Sequence, residues 1–197
     1  MNKLLTLLLP IFLLTACTSP MEKLKEEDPV QYFIVEEASL QTEKHGLELV
    51  ALNIPQDCQK GYFYLHFLSC SEMEIDEVRS VVVDVVESFL ANVNESDLFP
   101  SSVSIKDIIF NFGFVQDDGN FHEPPSVAYA YVKNEEVHYC YYDNIFGKFI
   151  SYDDVKEPYQ KAKELALRTY LSKKIYPDLD GFFSEGKKAP KMVKNFY

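Results

Sequence analysis

His138 and Cys140 stand two residues apart in a run of aromatic and β-branched residues, so on a strand their side chains share a face. His66 and Cys70 are four apart, a spacing that suits a helix, but His66 falls in the run YFYLHFL (62–68), which reads as a strand. No C-x-x-C and no H-E-x-x-H occurs, so no metal site is assigned. Nucleophilic chemistry has no better footing. There is no G-x-S-x-G elbow, and histidine and thiol at i and i+2 on a strand do not aim a base at its nucleophile. The 7 glycines are scattered singly, which leaves no loop to cradle phosphate. Asp117 and Asp118 sit in a QDDGN turn that carries only a fragment of a calcium loop. Paired carboxylates for glycoside hydrolysis can be drawn from 31 acids, but sequence places no two of them across a cleft. No catalytic residue and no cofactor is therefore implied.

The tyrosines offer recognition rather than reaction. Tyr129 and Tyr131 share a face of one strand, as do Tyr139 and Tyr141 on its neighbour. Such stripes make a candidate surface for a sugar or a peptide, because a tyrosine ring is apolar while its hydroxyl stays satisfied. The competing reading is cross-strand aromatic pairing that only stabilises the sheet.

Three cysteines follow the N-terminal region: Cys58, Cys70 and Cys140. Cys58 and Cys70 flank the 62–68 strand, which would hold them about 23 Å apart. A disulfide needs Cα atoms within roughly 7 Å, so that pair is excluded. Cys140 with either partner stands as the candidate bridge, against three unbridged, mostly buried thiols.

Residues 4–16 (LLTLLLPIFLLTA) carry no charge and follow Lys3. The run is too short for a hydrocarbon core of ~30 Å and has the layout of a secretory signal. It ends in Leu14-Thr15-Ala16-Cys17, which resembles the bacterial lipobox. The resemblance implies cleavage before Cys17, lipid on its sulfur and nitrogen, and anchoring by two or three acyl chains. Thr18 rather than aspartate after the cysteine implies the outer membrane under the enteric sorting rule, with the protein facing the periplasm or the cell exterior.

Cleavage after residue 16 would remove Lys3, turning the formal −12 into −13 and leaving 181 of the 197 residues. So acidic a chain offers no basic face to nucleic acid and is not held to anionic lipid by charge.

The remaining pattern reads as one domain (30–176) between a tether (17–29) and a basic tail (177–197). Residues 18–28 hold two apolar side chains among six charges and are expected not to order, spanning on the order of 20 Å. Strands are expected at 30–36, 47–54, 62–68, 103–115, 127–132 and 137–142, with Asn134 and Glu135 as the last hairpin's turn. A helix is expected over 73–93, capped by the Ser71-x-x-Glu74 box, and another over 155–171, capped by Asp153 or Asp154. The fold class is α+β: an antiparallel sheet of about five to six strands with two amphipathic helices packed on one face. Ligation-free, motif-free and carrying a specific anchor, the chain is expected to be a non-catalytic binding module for envelope protein or cell-wall material. A small lipid-anchored hydrolase with an acidic site is the alternative.

The anchor is directly testable. Cys17→Ser should leave the signal uncleaved by the lipoprotein route and shift the protein out of the lipid-modified membrane fraction. Detergent partitioning and intact mass measure this, and an unchanged acylated mass would refute lipidation at Cys17.

Overall fold

The computed structural model describes residues 19–55, 61–99, 101–143, 145, 147–150 and 155–175. Cys17, Cys58, Asp153, Asp154 and the basic tail lie outside them.

Ser19 opens the first helix, α1 (Pro20–Glu27), with a reciprocal cap. Its hydroxyl accepts from the Glu22 N–H at 3.1 Å while the Glu22 carboxylate accepts from the Ser19 N–H at 2.9 Å. Pro20 at the first position and a Lys23–Glu27 pair complete it, and no α1 side chain is buried. The segment expected to stay unordered is thus helical, with a complete N-cap and Lys25 placed over the Tyr32 ring of the next helix at 5.2 Å. Asp28 closes α1 and caps the next helix, accepting from the Gln31 N–H at 2.9 Å. That helix, α2 (Pro29–His45), ends at Gly46 in the left-handed conformation, φ 64°. It replaces the strand expected at 30–36. The β-branched and aromatic residues there argue locally for extension. However, Asp28-Pro29 and Gly46 bracket them, and Ile34, Ala38 and Gln41 fall on one helical face and are buried.

Seven strands make one mixed sheet in the order β1-β2-β3-β4-β5-β6, with β7 also paired to β5. They are β1 (Glu48–Asn53), β2 (Phe63–Ser69), β3 (Ile108–Phe114), β4 (Tyr129–Lys133), β5 (Glu136–Asp143), β6 (Lys148–Ile150) and β7 (Lys156–Pro158). All pairings are antiparallel except β2 with β3, which run parallel from Phe63↔Ile108 to Ser69↔Phe114. A parallel neighbour needs a long crossover, and α3 (Ile75–Glu95) supplies it. The wholly antiparallel sheet is therefore corrected at this one ladder. The α3 cap also differs from expectation: the helix starts four residues past Ser71, and the Glu74 N–H donates to the Glu77 carboxylate at 3.2 Å. β3 is shorter than the expected 103–115 because Ser104 and Asp107 cap a 3-10 turn, Ile105–Asp107, ahead of it. The β4–β5 turn is as expected, with Asn134 and Glu135 both at positive φ (52° and 64°), the geometry a two-residue hairpin demands.

Period two divides the strands between two faces. Phe63, Leu65 and Phe67 of β2 lie with Ile108, Phe110, Phe112 and Phe114 of β3 on one of them, all buried. Phe89 of α3 meets Phe63 and Phe110 there, at ring distances of 5.9 and 4.9 Å. Ala38 and Gln41 of α2 line a residual gap against Leu65, Phe67 and Phe110 of the same face. The last helix, α4 (Tyr159–Ile175), begins after β7 rather than at 155. It buries Tyr159, Ala162 and Ala166, while Tyr170 is 61% exposed.

A charged network lies within this packing. Glu157 of β7 is 7% exposed and accepts from the Arg79 Nε–H at 2.6 Å and the Tyr139 hydroxyl at 2.8 Å. Arg79 also pairs with Asp76 and lies over the Tyr139 ring at 5.9 Å. Burial and the bond to Glu157 push the Tyr139 phenol well above its ordinary range. One carboxylate so fastens α3, β5 and β7. Glu157→Ala should cost roughly 3 kcal/mol in chemical denaturation, because it removes the acceptor of both the Arg79 Nε–H and the buried Tyr139 hydroxyl. The double variant Arg79→Met/Glu157→Met should recover most of that loss. Equal losses in both would mean the network is not dry.

Candidate functional site

The ladder registers build the second face of the sheet row by row. His66 lies beside Asn111, Asn111 beside Tyr131, and Tyr131 beside His138. The next row runs Leu68, Gly113, Tyr129, Cys140. Four strands thus bring two histidines, an asparagine, two tyrosines and a thiol together from 75 positions of sequence, 66 to 140 inclusive.

The rings touch in sequence across the face. Tyr131 and His138 stack at 4.4 Å with their planes 5° apart. Tyr129 sits 5.9 Å from His66, 6.3 Å from Tyr131 and 5.7 Å from Phe149. Phe149, 44% exposed, continues the surface to Phe121 at 4.7 Å and Tyr142 at 5.3 Å. The His66, Tyr129, Tyr131 and His138 side chains are half-buried, and Asn111 is buried. Gly113 has a packing reason to be glycine: a Cβ there would lie 2.6 Å from Leu68 Cδ2.

The electrostatics favour neutral groups. Burial pushes the Tyr129 phenol up to about 12 and raises Tyr131 as well. Burial also holds the His66 imidazole below its ordinary value. Its Nε2 is buried and finds no hydrogen-bond partner among the described residues. His138 Nε2 has the Glu136 carboxylate at 3.4 Å. The face is therefore an aromatic surface with polar atoms at fixed points, one of them unsatisfied. Among the described residues no three His, Cys, Asp or Glu side chains gather as a metal site.

The four tyrosines expected to form one surface are divided by the register. Tyr129 pairs with Cys140 and Ala130 with Tyr139, so Tyr139 points to the opposite face from Tyr129. Tyr139 is 2% exposed and bonded to Glu157, and Tyr141 packs against the core. Tyr129 and Tyr131 are together, and Tyr139 and Tyr141 are elsewhere. His66 and Asn111 enter the site instead. The alternation Tyr64, His66, Leu68 against Phe63, Leu65, Phe67 was the available signal for His66, since it sets the histidine off the apolar face. Cys70 is an exposed thiol and Cys140 a buried one, with no disulfide between them.

No protein-family model matches the chain, and no curated protein or solved structure matches it either.

Because folding lowers the His66 pKa, the unfolded chain takes up its proton first as pH falls. The stability tied to neutral His66 is complete above about pH 6.5 and is lost as pH drops through the folded value. Wild type should therefore lose more stability than His66→Gln between about pH 7.5 and 5.5 in denaturant titrations. Parallel pH profiles would refute the burial of this imidazole.

Proposed function

We propose that the chain is a non-catalytic binding module, held to a bacterial envelope membrane by acyl chains on Cys17, and that the face around Tyr129, Tyr131, His66 and His138 is its recognition surface. One observation carries the reading: a continuous run of half-buried rings beside the buried, unsatisfied Nε2 of His66. Ring faces stack on sugar or peptide surfaces at small entropic cost. The class of partner is envelope protein or cell-wall material, and nucleic acid is disfavoured by the −12 charge. The outer membrane is the proposed location, from Thr18 after the lipidated cysteine.

A hydrolase remains the second reading because acids do converge at one place. Glu72, Glu74, Asp76 and Glu77 line a hollow of 440 Å³ with Ser126. These acids are already engaged: Glu72 accepts from Ser126, Asp76 pairs with Arg79, and Glu74 and Glu77 form the capping box of α3.

The two readings separate in one comparison. Residues 18–197, crosslinked in envelope extract, should capture a discrete partner that Tyr129→Ala/Tyr131→Ala loses by about tenfold or more, at unchanged melting temperature. Turnover of cell-wall fragments that Glu72→Gln or Asp76→Asn abolishes would establish the hydrolase instead.

A further inference from the structure

The open edge of the sheet has a geometry of its own, independent of the aromatic face. β1 pairs only with β2, so its other side presents unpaired backbone N–H and C=O groups among the described residues. A groove of 470 Å³ runs along that side. One wall is every residue of β1 from 48 to 52 in succession. Successive strand residues point to opposite faces, so a hollow above either face would be lined by alternate ones. Lining by all five places the groove along the edge. The other wall is Val35, Ala38, Ser39 and Thr42 of α2, which are i, i+3, i+4 and i+7 and form one helical stripe.

We infer that this groove takes an extended peptide, which adds to β1 as a further strand and lies against α2. The backbone of β1 dictates the occupant, because only another extended main chain meets a row of strand donors and acceptors in register. Side chains of the groove contribute little polarity of their own. The Ser39 and Thr42 hydroxyls donate within the chain, to the Glu36 and Leu47 carbonyls at 2.7 and 2.5 Å. The sequence of β1, ELVALN, has no lysine or proline to block addition, and Val50 is 45% exposed. The bulge between Leu49 and Ala51 breaks the run, which limits the addition to a short segment. Five residues of strand span about 16 Å, so the fitting peptide is short. Glu48 in the wall and the −12 charge of the chain favour basic ends on it.

The test uses the full chain and a displayed library of short random peptides, together with Lys-Val-Thr-Val-Thr-Val-Lys as a defined probe. A binding peptide should slow amide exchange about tenfold or more at alternate residues of β1, those facing away from β2. Methylating alternate peptide amides should abolish the effect in one phase and spare it in the other. Ser39→Tyr, which fills the groove from an exposed position, should lose the protection and keep the fold by circular dichroism. Three results would overturn the inference. One is that no library member protects β1. Another is protection without alternation. The third is β1 amides already protected in the protein alone: rising with protein concentration, this would assign the edge to a second copy, and independent of it, to a segment of the same chain.

Discussion

The parallel ladder between β2 and β3 is the constraint from which the rest of the arrangement follows. A hairpin cannot join parallel neighbours, so the chain must travel back along the sheet before β3 begins. α3, with 21 residues, rises about 31 Å, more than the length of a seven-residue strand. Its valines are modest helix formers, yet Val78, Val82, Val85 and Val86 are all buried, and tertiary burial offsets the propensity they lack. The crossover also fixes its own partner surface: Phe89 reaches rings of both β2 and β3. The same ladder sets His66 beside Asn111, which no local rule would do.

From β3 to β5, pairing is local and the sequence was correspondingly informative, whereas β6 and β7 were not expected and β7 lies where a helix start was read. The alternation of Ile108, Phe110, Phe112 and Phe114 announced a buried face, and Asn134-Glu135 announced a two-residue turn. The register that this turn imposes was present in the same residues, though the expected four-tyrosine surface did not follow it. Lys133 opposite Glu136 places Tyr131 opposite His138 and Tyr129 opposite Cys140. Shifting by one residue would carry Tyr139 and Tyr141 to the aromatic face and histidine and cysteine into the core. The buried Glu157 explains why that shift is disfavoured, since Tyr139 must lie inward to donate to it.

The N-terminal part misled for a different reason. Val30 to Val35 contain enough β-branched and aromatic residues to read as a strand in a short window. The signals that decide the matter lie at the ends, in Asp28-Pro29 and Gly46, and span 19 positions. α1 illustrates the same point at smaller scale: composition argued for disorder, while Ser19-Pro20-Met21-Glu22 is a capping box in plain sequence. Fold class was legible because it depends on many weak periodic signals. Partners across the sheet were not, because they depend on contacts between distant segments.

β2 links the aromatic face to the β1 edge. On one side it carries His66 into the aromatic row, and on the other it holds β1, whose Ala51 lies opposite His66. The bulge at Val50 is what brings Ala51 to that position, since Leu49 pairs with Phe67 and the next pair skips a residue. A strand added to β1 would lie two strand spacings from His66, about 10 Å. Moving the bulge by one residue would therefore alter the unpaired edge and the setting of the His66 ring together.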